Sequence, residues 1–322
     1  MTDDRSFVVL SGGVGGAKLV LGLSRILPAE RLTVIANTGD DFEHLGLPIS
    51  PDIDTLIYTL ADAVNTETGW GRSDETWNFM AALEQLGGET WFRLGDRDLA
   101  THVRRASLIA GGATLAEATA DLCRGFGVKQ SILPMADQPV RTRIVTDDTT
   151  LDFQHYFVRE RAEPSVRRID YHGATSARPP AAALAALRAE TLAGIIVAPS
   201  NPYLSIDPIL SVPAMRAAIV AADVPVVSVS PVVDGVAVKG PTAKIMRELG
   251  HDVSAAGVAA HYGDLLDGFI VDLTDNDAID EIAATGLDVV AQQTLMSNIE
   301  DKIALAKSTV EYIARLTAAA SC

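Results

Sequence analysis

Cysteine is nearly absent from this chain. Cys123 and Cys322 are the two in 322 residues, with no CxxC pair and no His/Cys cluster at metal-ligand spacing. This argues against a disulfide framework and a structural zinc site, and makes a reducing cytoplasm the expected compartment. Long hydrophobic runs are missing too. Although 48% of the residues are apolar, no stretch approaches the roughly 20 residues a bilayer-spanning helix needs, so no membrane association is expected. The opening MTDDRS is acidic, runs straight into a strand-like segment, and does not read as a signal peptide. Basic residues are scarce: 26 Lys and Arg stand against 42 Asp and Glu, a formal net charge of −16. Without a basic stripe, such a chain repels a phosphate backbone, so no nucleic-acid partner is expected. A small anionic ligand would need local Lys or Arg, free backbone N–H groups or a divalent cation.

Two standard phosphate loops are also missing. "SGGVGGAKLVLGL", residues 11–23, follows the apolar run Phe7–Leu10. Lys18 lacks the Gly before it and the Ser or Thr after it that a Walker A loop requires, and the last glycine of G-x-G-x-x-G is replaced by Lys18 itself. The segment is a strand-to-helix turn of another kind. Gly12, Gly13, Gly15 and Gly16 would let the backbone approach a ligand at a helix N-terminus, with Lys18 one turn on. The alternative is a tight turn with close helix–sheet packing.

What is present is an alternation of β-branched runs and helix-period segments, which implies an α/β fold: a doubly wound, mostly parallel Rossmann-like sheet. Strands are expected at Phe7–Leu10, Leu32–Ala36, Gly194–Ala198, Val224–Val229, Gly268–Val271 and Asp288–Ala291. Helices are expected near Ala17–Leu27, Val212–Ala222, Thr242–Leu249, Ala278–Ala284 and Ile299–Ala318. Between them, Asp52 to about Phe126 is mostly helical and Ser131–Tyr171 alternates like strands. We read one α/β domain over 1–322, with about 55–180 as an inserted helical and β-hairpin elaboration.

Ligands of open parallel sheets bind beyond the carboxyl ends of the strands, which singles out 11–18, 37–41 and 200–205. No Lys or Arg occurs between Arg31 and Arg72, yet Asp40, Asp41, Glu43, Asp52, Asp54, Asp62 and Glu67 all fall there. Crowded carboxylates without basic partners call for a cation such as Mg²⁺, for which Asp40 or Asp41 at a strand end is well placed. In "SPDIDT", Ser50 fits an N-cap and Pro51 the first helical position. Asp52 and Asp54 project about 200° apart on a helix, so at most one is expected to function and the other to cap; spacing does not choose between them. Asp98 and His102 in "RLGDRDLATH" are four apart, as a metal pair or a simple i,i+4 contact would be. Arg93 and Arg97 suit an anion clamp or surface pairing. Ser200 and Asn201 in "APSNPYLSIDPIL" suit ligand reading or a turn before Pro202. Lys239 and Lys244 flank a further helix start. No Ser/His/Asp triad, nucleophilic cysteine or glycosidase-type carboxylate pair emerges.

In order, "GGVGGAK", "NTGDD", "SPDIDT", "GWGRSDETWN", "LGDRDLATH", "LPMADQPVRT", "APSNPYLSIDPIL", "VSPVVDG" and "GPTAK" resemble the 2-phospho-L-lactate transferase family of coenzyme F420 biosynthesis. The likeness runs from Gly12 to the helix after Lys244, extended by "TLM" at 294–296. It implies transfer of a phospholactyl-type group, in its 2-phospholactate, phosphoenolpyruvate or 3-phosphoglycerate form, from a guanosine diphospho donor. The acceptor would be the ribityl hydroxyl of the deazaflavin Fo (7,8-didemethyl-8-hydroxy-5-deazariboflavin), with release of GMP, a requirement for Mg²⁺ and a homodimeric state. By the same resemblance Asp54 and Arg93 are the catalytic candidates on the Fo side, and Asp54 is metal ligand or base. Asp40 and Asp41 are metal candidates, and Asp52 is left as a cap. Gly12, Gly13, Gly15, Gly16, Lys18, Asn37, Ser200 and Asn201 would hold the donor. A sister family with a similar glycine loop binds nucleotide sugars without catalysis in a regulatory role, and is the alternative. Such proteins have no reason to keep "SPDIDT" together with "RLGDRDLATH".

Overall fold

The computed structural model describes residues 4–237 and 240–320, so Lys239 and Cys322 lie outside the described residues. Seven parallel strands form the central sheet: β1 (Ser6–Ser11), β2 (Leu32–Ala36), β3 (Ser131–Pro134), β4 (Leu192–Val197), β5 (Val226–Val229), β6 (Gly268–Asp272) and β7 (Asp288–Gln292). Their order is β3-β2-β1-β4-β5-β6-β7. The order reverses between β1 and β4, which opens a crevice at the carboxyl ends of those two strands.

Every strand but the half-exposed edge strand β7 buries both faces, and the period of two divides the side chains between two cores. Phe7 and Val9 face α1 (Gly13–Ile26), α2 (Pro51–Leu60) and the terminal helix, while Val8 and Leu10 face the opposite layer. The first layer also holds α3 (Asp96–Ala110) and α4 (Leu115–Phe126), which pack on each other and on α2. The opposite layer carries α5 (Ala181–Leu187), α6 (Pro213–Val220) and α7 (Ala255–Tyr262). The terminal helix, α8 (Ile299–Ala320), lies along α1, and a Cβ at Gly22 would collide there with the Lys302 carbonyl.

Two elements depart from the sequence reading. Ser131–Pro134, grouped above with the inserted strands, is instead the edge strand of the central sheet, paired in parallel with Thr33–Ala36. The segment after it forms a separate antiparallel sheet from Arg141–Thr146, Thr150–Asp152 and Val166–His172. Helix α1 begins at Gly13 rather than near Ala17, so the glycine turn is itself the first turn of the helix. Among the described residues no single helix is long and apolar enough to cross a membrane. Cys123 is free and buried, with its thiol pushed up to about 12 by burial, which leaves no thiolate for nucleophilic chemistry.

Candidate active site at the sheet crevice

The loops after β1, β2 and β4 meet at the crevice, and their glycines are packed by protein. A Cβ at Gly15 would collide with the Pro199 carbonyl oxygen, and one at Gly16 with the Ser11 hydroxyl. A Cβ at Gly12 would lie 2.6 Å from the Asp52 Oδ2 atom and from the Ser205 Cβ. Gly13 has φ of +64°, open to glycine without strain. Close packing therefore accounts for the glycine density, which does not by itself point to a ligand. Gly15→Ala should cost about 1–3 kcal/mol through overpacking, read as a lower urea midpoint with an unchanged slope; an unchanged midpoint would show that Pro199 yields freely.

Ser200 stitches the two halves together. Its hydroxyl donates to the Gly12 carbonyl at 2.7 Å and accepts from the Gly12 N–H at 3.3 Å. Asn201 turns the chain: its Oδ1 accepts from the N–H groups of Tyr203 and Leu204, and its Nδ2 donates to Thr242 Oγ1 at 2.9 Å. Lys18 donates to the Met296 carbonyl at 2.9 Å, which ties the "TLM" segment to the glycine helix in the layer that α1 shares with the terminal helix.

Asn37 is the hub of the acidic group. Its Nδ2 donates to Asp40 Oδ1 and to Asp52 Oδ2, both at 2.9 Å, and its Oδ1 accepts from the Gly39 N–H at 2.8 Å. Asp52 Oδ1 accepts from the Gly13 N–H at 2.6 Å. The Asp52 side chain thus serves the N-terminus of α1 and brings its charge to the positive end of that helix dipole. Ser50 flanks α2 as its N-cap residue, but its hydroxyl donates to Asp41 Oδ2 at 2.7 Å instead of capping the helix. The other Asp41 oxygen is buried without a partner.

Asp40, Asp41 and Asp52 are each no more than 7% exposed. Burial pushes Asp40 well above the usual carboxylate range, helped by repulsion from Asp52 and Asp41. It pushes Asp41 to about 7, against the Ser50 hydrogen bond, and Asp52 to about 6, against its bonds to Asn37 and Gly13. Three buried carboxylates held this close repel each other, and a cation would relieve that. Among the described residues no three His, Cys, Asp or Glu side chains stand ready as a metal-binding group. Mg²⁺ commonly takes only one or two carboxylates, its remaining ligands being waters and phosphate oxygens. The unpartnered Asp41 oxygen and the convergence of Asp40 and Asp52 fit that mode.

Asp54 lies apart from this group in its contacts. Arg105, wholly buried on α3, grips both of its oxygens: Nη1 donates to Oδ2 at 3.1 Å and Nη2 to Oδ1. His102 Nδ1 is 3.2 Å from Arg105 Nη1, and His102 Nε2 is 3.3 Å from Asp98 Oδ2. Asp98 also accepts from the Tyr58 hydroxyl at 2.7 Å. Asp98 and His102 are thus links in a buried polar chain, not an open metal pair. The acids around them have local duties. Glu75 accepts from the first N–H groups of α3, those of Arg97 and Asp98, and Asp96 accepts from those of Asn78 and Phe79. "GRSDETWN" and "LGDRD" therefore brace each other.

Arg93 is exposed, with its guanidinium 4.3 Å from the centre of the Trp77 ring. An aromatic group of Phe42, His44, Trp91, Phe92 and His155 lies on the neighbouring segments, with ring centres 4.7 to 6.1 Å apart. Arg105 is absent from the sequence expectations, and Asp52, left there as a cap, meets the Gly13 N–H and Asn37. Arg105 carried one usable signal: Asp98, His102 and Arg105, at i, i+4 and i+7, mark a polar stripe on one face of a helix. Asp52 carried none, because its partners come from β1, β2 and the turns after them.

Known proteins resemble this chain over nearly its whole length. A protein named phosphoenolpyruvate transferase from Streptomyces griseus is 40% identical over 310 residues, covering 94% of this chain and 97% of that protein. A 2-phospho-L-lactate transferase from Methanosarcina mazei is 40% identical over 306 residues, covering 94% and 99%. The crystal structure of a UPF0052 family protein from Bacillus halodurans superimposes with a TM-score of 0.63 at 15% identity, covering 95% of this chain and 98% of that one, which shows a shared fold. With the family model for 2-phospho-L-lactate transferase CofD matching residues 7–310, the chain belongs to that family.

Proposed function

We propose that this chain transfers a phospholactyl-type group from a guanosine diphospho donor to the ribityl hydroxyl of the deazaflavin Fo and releases GMP, in the biosynthesis of coenzyme F420. The observation that carries this reading is the buried, mutually repelling group Asp40, Asp41 and Asp52 at the crevice, in a chain of this family. An acidic site can take a diphosphate only if a cation stands between them, and Mg²⁺ supplies that charge neutralisation when bound. Asp40 and Asp41 are its proposed ligands, with Asp52 beside them. The Gly12–Gly16 turn, Ser200 and Asn201 border the donor, and Arg93 stands on the Fo side.

In this reaction the ribityl oxygen bonds to the phosphorus that carries the acyl group. The bond from that phosphorus to the bridging oxygen breaks, and GMP leaves with that oxygen. No covalent enzyme intermediate is needed, because positioning and charge stabilisation carry phosphoryl transfer. The hydroxyl proton goes to a carboxylate of the site. Asp54, gripped by Arg105, orients the acceptor side in this reading.

Relatives named for phosphoenolpyruvate and for 2-phospho-L-lactate stand at the same 40% identity, so the test offers donors in competition. The protein is incubated with Fo, Mg²⁺ and the phosphoenolpyruvate, phospholactate and phosphoglycerate forms of the donor, and the products are weighed by mass spectrometry. One Fo adduct with stoichiometric GMP is expected, with none formed in EDTA. No adduct from any donor with folded protein, or undiminished transfer in EDTA, would overturn the reading.

A further inference from the structure

The motif "LPMADQPVRT" has no part in the site as described so far, although its end borders the acidic turn. The Thr142 N–H donates to the Gly39 carbonyl at 2.6 Å, which ties the first residues of the Arg141–Thr146 strand to the Asn37–Asp41 turn. Gln154, in the helical segment just after the Thr150–Asp152 strand, donates to the Asp40 carbonyl at 3.5 Å. The inserted sheet thus backs the acidic turn, and it presents Arg141 there.

Most cations around the crevice are engaged elsewhere. Arg105 is held by Asp54, Lys244 by Glu248 and Arg143 by Asp152, while Lys18 reaches Met296. Arg141 differs. Among the described residues it makes no ion pair, and its Nη1 donates only to its neighbour's carbonyl, that of Val140, at 3.1 Å. It is half-buried and stands one residue before Thr142, whose N–H is bonded to the Gly39 carbonyl of the acidic turn. A guanidinium carried on the strand that docks on the acidic turn, yet paired with no carboxylate among the described residues, retains donors for a third group. Beside carboxylates proposed to hold Mg²⁺, that group is an anion: a phosphate carried by the metal, to which the planar guanidinium offers paired N–H donors.

We propose that Arg141, delivered by the inserted sheet, binds the terminal phosphate of the guanosine diphospho donor, the phosphorus at which transfer takes place. The assignment rests on the transferase reading above. It explains why a sheet inserted between β3 and β4 is docked on the acidic turn: the sheet completes the anion site with a positive charge that the 32–71 segment lacks. Arg141 is then a substrate-contacting residue for the donor and leaves the Fo side untouched.

Calorimetric titration of GDP, in the presence of Mg²⁺, tests this on the full chain. Arg141→Ala and Arg141→Gln are each expected to weaken GDP by about tenfold or more, and Arg141→Lys by less, because a charged bidentate contact is lost or reduced to a point charge. GMP, which lacks the terminal phosphate, should weaken by much less. Arg143→Ala, two residues along the same strand, should leave GDP binding unchanged, and Fo fluorescence titrations should match wild type in every variant. GDP affinity within twofold of wild type in both neutral Arg141 variants would overturn this proposal alone. Equal losses in Arg141→Ala and Arg143→Ala would overturn it as well, since general charge would then explain them. Failure of the wild-type protein to bind GDP would overturn the transferase reading and this proposal with it.

Discussion

Asp54→Ala is expected to lower stability by about 3–5 kcal/mol, the cost of leaving a buried charge without its partner. The partner is Arg105, which has 0% exposure and has both terminal nitrogens on Asp54. The remaining contacts of its guanidinium are a 3.4 Å bond to the Pro48 carbonyl and the ring nitrogen of His102, neither of which carries a negative charge. The thermal midpoint should fall by roughly 10 °C, taking about 2–4 °C per kcal/mol for a large domain. Arg105→Met in the same chain should restore much of the loss, because an apolar side chain of similar volume removes the stranded charge. A midpoint within 2 °C of wild type in Asp54→Ala would show that the pair is not an anchor. The consequence for function is direct. Loss of transfer in an Asp54 variant counts as catalytic only when the folded fraction has been measured alongside it. Asp52→Asn probes the acidic group without touching the Arg105 pair: it removes a charge that repels Asp40, with the loss of one accepted hydrogen bond, since both carboxylate oxygens accept from N–H donors.

Stability should fall as pH rises from 5 to 8 in the absence of metal, and Mg²⁺ should reverse the trend. The sign follows from proton counting. Asp40, Asp41 and Asp52 all have folded pKa values above the ordinary carboxylate value, Asp41 moving from 3.8 to about 7 and Asp52 from 3.8 to about 6. Between pH 4 and 7 the folded chain therefore holds protons that the unfolded chain has already released. That contribution is fully present below about pH 4 and is lost once the pH has passed through the folded values. For Asp41 alone the shift corresponds to about 4 kcal/mol as an upper figure, at about 1.4 kcal/mol for each pH unit. A divalent cation binds the ionised carboxylates, so it should raise the thermal midpoint by several degrees at pH 8 and by little at pH 5, where it competes with protons. Thermal scans at both pH values, with Mg²⁺ and with EDTA, read this directly. A metal-free midpoint that climbs from pH 5 to 8, or a Mg²⁺ shift equal at both, would contradict the role given to these acids.

Much of this was legible in the chain itself. The β-branched runs at Leu32–Ala36 and Gly268–Val271 and the glycine turn after Phe7–Leu10 determined a doubly wound parallel sheet, because a strand buried on both faces must be apolar throughout. The absence of Lys and Arg from 32–71 marked the acidic segment, and the ordered motifs marked the family. What tertiary structure alone decided is which partner each polar side chain meets. Helical spacing says that Asp52 and Asp54 diverge. That one turns to Asn37 and Gly13, and the other to Arg105, follows from where β1, β2 and α3 cross α2. Ser131–Pro134 reads as one more short strand, and its place at the sheet edge comes from pairing with Thr33–Ala36. Periodicity is a property of neighbouring residues and is written locally. The charge balance of a buried site is set by residues far apart in the chain, and it exists only once the elements that carry them have packed.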